Sequence, residues 1–391
     1  MSTADSTHET SRSEVPQDAA ARPVTPPATG RATGPLLATS VVGSYSVPEW
    51  LQRLKTDYYR HRISRAHLDE VHDTAIKAAI KDQERAGIDF VSDGELRRDN
   101  DVDYLLARTP GVYIPNRLKS FFYDYYEAEV GEPIPGGDAG ALGFVQDFTF
   151  TAAQTDRAVN FSFTGPFSLS RRVRNKAYAD DAELVYAFAR VLNAEAHRLI
   201  EAGAANLQID EPFLAGYPEQ VDVAIEAVNL VTKDVPANWS LHVCYGNRHA
   251  RPSWEGHYDF LFPSVLAADV DRLVLEFARK GYDDLGLLDR YQPTFALGLG
   301  VIDVKSEDIE SADVVAARVR RALNHLPAEQ LMINPDCGLR HLPGAVARAK
   351  LAAMVRGAAV VRAELSGAVE PGGRVSTRDG VCVSGQAPAD L

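Results

Sequence analysis

Cysteine is scarce in this chain: three residues in 391, Cys244, Cys337 and Cys382. An odd and sparse set cannot build the disulfide framework of a small secreted scaffold, so the thiols are expected to be reduced and free for chemistry. Long apolar runs are missing too. None approaches the roughly 18 residues of a membrane helix, and no positively charged segment followed by an apolar one opens the chain. The expectation is a cytoplasmic protein with no membrane partner. Positive charge is in deficit, with 41 Lys and Arg against 54 Asp and Glu, a formal −13. Such a surface repels a nucleic-acid backbone on average, so no nucleic-acid partner is expected. Neither G-x-G-x-x-G nor G-x-x-x-x-G-K-[ST] occurs, which removes the usual phosphate-cradling loops. No repeat in the solenoid or propeller range is present.

What is present is a globular composition, 45% hydrophobic, enough for a substantial core. Residues 1–35 stand apart, rich in Ser, Thr, Pro, Ala and charge, and are expected to be a disordered tail. Asp5, Glu9, Glu14 and Asp18 speak against a transit peptide. From Leu36 onward, eight short β-rich runs alternate with helical stretches: LLATSVVGS, DFVSDGE, NFSFTGP, NLQIDEP, SLHVCYGN, RLVLEFA, FALGLGVIDV and LMINPDCG. Apolar residues at helical spacing mark Asp181 to Gly203, Ser311 to Leu326 and Gly344 to Leu365. Alternation of this kind predicts an α/β fold, a (β/α)8 TIM barrel over 36–391, ahead of a doubly wound open sheet. Residues 100–154, with the aromatic stretch SFFYDYYEAEV, interrupt the alternation after the second strand and read as a structured insertion over the barrel mouth.

Position supports the barrel more than the count does. Active sites of such barrels gather at the C-terminal ends of the strands. Ser44, Glu95, Asp210, His242, Cys244, Glu276, Asp303 and Cys337 all fall at or just past the ends of the runs. His242 and Cys244 share one face of a strand, because strand side chains alternate with period two. Alone, that pair favours two ordinary residues of a buried strand. Glu276 inside the apolar run LVLEFA alters the balance, since an unpartnered buried carboxylate is expensive. Cys337, in a Pro-Asp-Cys-Gly turn on the last run, alters it again. Two thiolates, an imidazole and a carboxylate form a four-coordinate set suited to Zn²⁺ and not to Mg²⁺ or Ca²⁺. Cys382 has no such context. The set carries −3 against the metal's +2, a poor site for hydrolysing a carbonyl but one able to hold an incoming thiol as an electron-rich thiolate.

In order and context, VGS, SDGE, TGP, QIDEP, HVC, LEF, GVIDV and NPDCGL resemble the catalytic barrel of the cobalamin-independent methionine synthase family, from about Val41 to Arg362. The resemblance implies a methyltransferase with zinc on His242, Cys244, Glu276 and Cys337. It implies a homocysteine site at Gly43 and Ser44, Glu95 and Asp210, where two carboxylates can pair an ammonium and backbone N–H groups near Ser44 can hold a carboxylate. Asp303 and Lys305 would face the methyl donor. Two features depart from the pattern. Full-length relatives carry a further N-terminal barrel, so the chain reads as a short form. They also tend to place a histidine where this chain has Lys305, a poorer proton shuttle near neutral pH, which leaves the donor open between methyl-folate and another. Expected partners are thus a homocysteine-like thiol and a methyl donor, with homo-oligomerisation allowed. Two other readings keep the zinc: a thiol such as coenzyme M opening an epoxide, with Lys305 on its sulfonate, and a zinc-bound thiol sensor without turnover.

Overall fold

The strands of this chain alternate polar and apolar residues, and that alternation sorts them into two faces. A computed structural model describes residues 34–136 and 141–367. Its strands are β1 (Phe90–Val91), β2 (Val112–Tyr113), β3 (Ala128–Val130), β4 (Ala158–Thr164), β5 (Val173–Asn175), β6 (Asn206–Asp210), β7 (Asn238–Val243), β8 (Arg272–Leu275), β9 (Ala296–Gly300) and β10 (Leu331–Asn334). Seven of them form one sheet in the order β1-β4-β6-β7-β8-β9-β10, every pairing parallel. On one face, Asn160 Nδ2 donates to Gln208 Oε1 at 3.1 Å, Asn238 Nδ2 to Asn206 Oδ1 at 3.2 Å and Arg272 Nη1 to Ser240 Oγ at 2.9 Å. The intervening residues Phe161, Phe163, Leu207, Ile209, Leu241, Leu273, Leu297, Leu299 and Ile333 are buried in the apolar core.

The two edges of this sheet are joined. Ser40 N–H donates to Ile333 O at 3.0 Å and Ile333 N–H to Ala38 O at 2.8 Å, while Phe90 N–H donates to Thr39 O at 3.0 Å. Parallel bridges Thr39 to Ile333 and Ser40 to Phe90 result, so the first predicted run lies between β1 and β10. It makes bridges rather than a full strand. The other seven runs coincide with the seven strands of the sheet.

Helices run between the strands where capping and periodicity place them. Asp180 caps Asp181–Glu201 by accepting from Glu183 N–H, and the buried side chains Leu184, Val185, Phe188, Val191, Leu192 and Leu199 follow the 3.6-residue period. Ser311 caps Ala312–Ala322 in the same way, and Gly344–Leu365 matches the predicted closing helix. Among the described residues no helix is long and apolar enough to cross a membrane.

Residues 100–154 carry the helices Asp103–Leu106 and Phe144–Ala152 and the strands β2 and β3. The small sheet is completed by β5, which pairs parallel with β3 and comes from beyond that segment. The expectation for residues 1–35 concerns, apart from Gly34 and Pro35, residues outside those described, and so does that for Cys382.

Glycine allows one close approach on which the site depends. A Cβ on Gly300 would lie 2.3 Å from Asp336 Oδ1, 2.7 Å from Leu275 O and 3.0 Å from Phe277 N. Two of these neighbours are backbone and cannot rotate away. Gly300→Ala is expected to destabilise the fold by about 1–3 kcal/mol, the usual cost of overpacking, read as a lower urea midpoint at unchanged slope.

Candidate active site

β7 ends at Val243, and its last inward residue, His242, lies beside Asp210 of β6 in the parallel register. Cys244 follows on the same side, and Cys337 stands three residues past β10. The ligating atoms of His242, Cys244 and Cys337 all lie within 4.8 Å of one another. The two sulfurs are 3.5 Å apart. His242 Nδ1 lies 3.0 Å from Val274 O, which can only accept, so Nδ1 carries a proton and Nε2 is the ring atom left to face the sulfurs. That Nε2 is buried without a hydrogen-bond partner. A tetrahedral ion at about 2.3 Å from each sulfur would hold them roughly 3.8 Å apart, close to the separation present. Contact with Cys244 and burial push the Cys337 thiol well above its ordinary range. Two buried thiols ionise together only if a cation joins them, and this geometry has room for one.

Glu276 lies one residue past β8 and is not part of that cluster. Its Oε1 accepts from Arg279 Nε at 2.8 Å and its Oε2 from Lys305 Nζ at 2.8 Å. Burial alone would raise the carboxyl, but Lys305 and Arg279 outweigh it and hold its pKa below the ordinary value. Burial likewise opposes the Lys305 ammonium, while Glu276 and the two cysteines raise it above the lysine range. Lys305 thus points inward to Glu276, and Asp303 Oδ1 accepts from the Lys305 amide at 2.8 Å.

Ser44, Glu95 and Asp210 line the same cavity as the cysteines, with Gly43 packed against Glu95. Gly43 has φ +63°, and a Cβ there would meet Glu95 Oε1 at 2.6 Å and Ser162 Oγ at 2.8 Å, so the bare backbone lets the carboxylate in. Glu95 itself sits at φ +54°, a left-handed conformation that costs a non-glycine residue about 1 kcal/mol or more. Its carboxylate is held by Arg98 Nη1 at 3.1 Å, Ser162 Oγ at 3.0 Å and Arg340 Nη2 at 3.5 Å. Asp210 accepts from Gln208 Nε2 at 2.7 Å. Burial, helped by Glu95 and opposed by His242, pushes the Asp210 carboxyl up to about 7.

A cavity of about 150 Å³ is lined by Ser44, Glu95, Asp210, His242, Cys244 and Cys337 together. Tyr123 and Tyr125, from the segment 100–154, also line it. Asp303, Lys305 and Glu276 are not among the lining residues.

Comparison with known proteins shows the family. Residues 37–360 match the family described as cobalamin-independent synthase, catalytic domain. The chain belongs to this family. A methionine synthase of Saccharolobus islandicus (strain L.S.2.15 / Lassen #1) is 35% identical over 333 residues, covering 85% of this chain and 96% of that one. One of Sulfurisphaera tokodaii is 32% identical over 339 residues, covering 85% and 94%. Among solved structures, the B12-independent methionine synthase of Shewanella sp. W3-18-1, in complex with selenomethionine, superposes with a TM-score of 0.74 at 28% identity, over 85% of this chain and 99% of that one.

As a cobalamin-independent synthase, a methyltransferase, the chain also uses residues that its motifs did not announce. Arg98 and Arg340 clamp Glu95 although neither stands in a strand-end motif. Asp336, the acid of NPDCG, accepts from Phe277 N–H at 2.9 Å, Ala278 N–H at 2.7 Å and Arg279 N–H at 2.9 Å. It thereby fixes the loop that begins at Glu276. Glu211, beside Asp210 in QIDEP, binds Phe167 N–H at 3.0 Å and Ser168 N–H at 2.8 Å and is structural. An acid in a turn after a buried strand was the available signal for Asp336; for the two arginines there was none.

Arg98 is 4% exposed, with Asp93 at 3.9 Å as well as Glu95. Arg98→Met removes the ion-pair partner of buried Asp93 and one of the two of Glu95, and is expected to cost about 3–5 kcal/mol at pH 7. Burial already raises the Asp93 pKa, and loss of Arg98 raises it further. The native variant then keeps a proton that the unfolded chain has released above about pH 4. The penalty therefore shrinks as pH falls from 7 to 5, which urea titrations at the two pH values will show.

Proposed function

We propose that this enzyme transfers a methyl group to the thiolate of homocysteine, giving methionine, with zinc held at His242, Cys244 and Cys337. The observation carrying this reading is the convergence of His242 and two cysteine sulfurs on one cavity that Asp210 and Glu95 also line. Zinc there supplies a Lewis acid that keeps the substrate sulfur as a thiolate at neutral pH. Eight strand members closed through residues 38–41 make the scaffold a (β/α)8 barrel in this reading, with segment 100–154 as its insertion.

The chain's own residues do the positioning. Asp210 takes the substrate ammonium, while Glu95, already neutralised by Arg98 and Arg340, orients it by hydrogen bonding. The turn at Gly43 and Ser44 offers backbone N–H groups to the substrate carboxylate. The sulfur attacks the methyl carbon as the carbon–donor bond breaks, and the donor leaves with the electron pair, taking up a proton from solvent where its leaving atom is basic. Methyl-folate is one donor class that fits this step, and a donor that needs no protonation is another. Tyr123 and Tyr125 line the cavity that the donor would enter. Glu276 occupies Lys305, so no free ammonium awaits a sulfonate, and the acids of the cavity favour an amino-acid thiol over coenzyme M. The Shewanella relative holds selenomethionine, an amino acid of the product's kind.

Zinc-loaded enzyme, crossed with methyl-folates, methylcobalamin and simple methyl electrophiles against homocysteine and other thiols, is expected to form methionine from homocysteine with at least one donor. Cys337→Ser should lose both zinc and turnover, by more than the ~100-fold that loss of a second-shell partner can cost. Undiminished activity in that variant overturns the reading. A second outcome concerns pH. Asp210 must be ionised to pair an ammonium, and its carboxyl is raised to about 7 in the free site. Methionine affinity, measured by calorimetry, should rise roughly tenfold per unit up to pH 7 and level off above it. Asp210→Asn should abolish that slope, and a flat profile in the unaltered enzyme would exclude Asp210 as the ammonium partner.

A further inference from the structure

A second cavity, of about 630 Å³, is walled by residues of the helices Glu49–Tyr59 and Arg65–Ala86 and of the segment 97–126. It shares no lining residue with the catalytic cavity. Its volume falls within the roughly 300–1,000 Å³ of ordinary small-molecule sites.

The charges around it do not cancel. Asp99 is paired with Lys55 at 3.1 Å and Lys119 at 3.5 Å, and Asp103 with Lys119 at 2.6 Å. Arg65 Nε donates to both oxygens of Asp69, at 2.9 and 3.0 Å, and Arg97 lies between Asp73 and Asp147. Two lining arginines are left over. Arg108 donates to Tyr104 O at 3.0 Å and lies 3.6 Å from the centre of the Tyr104 ring. Among the described residues neither it nor Arg117 meets a carboxylate. In a chain with a formal −13, a cavity with surplus positive charge selects for anions.

His72 gives an independent sign of a missing partner. It lines the cavity, is 3% exposed, and has neither ring nitrogen hydrogen-bonded. Burial, then Lys55, Arg97 and Arg65, push its pKa far below the histidine range, so the ring is neutral and offers one N–H. A buried polar group without a partner is costly, and a ligand in the cavity would supply one. Aromatic rings complete the walls: Tyr58, Tyr59, Tyr104 and Tyr126. Tyr59 crosses Tyr58 at 70° and Tyr126 at 77°, with centres 5.5 and 6.5 Å apart. Ring faces beside guanidinium groups suit a flat ring that carries an anion.

We propose that this cavity is a second ligand site, for a small organic anion that joins a flat aromatic ring to a phosphate or a carboxylate. The ring lies against the tyrosines, the anion meets Arg108 and Arg117, and His72 donates its N–H to a ligand acceptor. The site stands whether or not the chain transfers methyl groups.

Calorimetric titration of the whole chain tests this. AMP or indole-3-acetate should bind, the first if the anion is a phosphate and the second if it is a carboxylate. The ring alone, as adenosine or indole, and inorganic phosphate should each bind at least about tenfold more weakly than the probe that joins both parts. Arg117→Glu, at an exposed position, should weaken that probe by about tenfold or more. His72→Phe, which keeps a flat ring without an N–H, should weaken it severalfold and leave the urea midpoint no lower. Should His72→Phe not fold, Arg117→Glu decides alone. Failure of both joined probes to bind, or undiminished binding in Arg117→Glu, overturns the proposal. Displacement of the probe by saturating methionine would place it in the catalytic cavity and overturn the proposal as well.

Discussion

The register of the parallel ladder is the constraint on which the rest depends. Thr164, Asp210 and His242 stand level because β4, β6 and β7 pair in that register. A slip of one residue would turn His242 into the apolar layer and bring Leu241 into the cavity. The same period carries Cys244 to the side of His242, and joining the edges through residues 38–41 sets Ser44 near Cys337 across the mouth. Side chains almost a hundred residues apart therefore meet without any loop having to be placed independently.

Around this frame, buried charges occur in mutually neutralising groups. Glu95 lies between Arg98 and Arg340, Glu276 between Lys305 and Arg279, and Asp99 between Lys55 and Lys119. Each group immobilises its members, since withdrawing one would leave another charge in a dry interior. One departure from this pattern is informative. His242 Nε2 is buried with no partner, beside two sulfurs that cannot both ionise unaided. In the proposed reading zinc fills that corner, and the neighbouring charges are already committed elsewhere.

Residue spacing alone separated the strand-end acids and thiols from the core, but it treated all of them as facing one centre. His242, Cys244 and Cys337 do meet, and Ser44, Glu95 and Asp210 line the same cavity. Glu276 and Lys305, although at strand ends, turn to each other instead. A strand end fixes where a backbone leaves the sheet and not which neighbour its last long side chain will find. Likewise the first run, LLATSVVGS, looks like a strand but makes only bridges, and β5 completes a sheet begun well before it in sequence.

What the sequence determined by itself was whatever depends on local period and residue chemistry: the alternation of strands and helices, the family motifs, and the thiols and acids at strand ends. Only the tertiary structure decided how buried charges are shared. Arg98 and Arg340 approach Glu95 from segments 242 residues apart, and Lys305 reaches Glu276 from 29 residues on. The reason is physical. Hydrophobic periodicity is written into each segment, whereas an ion pair is chosen by desolvation at a point where several segments meet, and no segment carries that point alone.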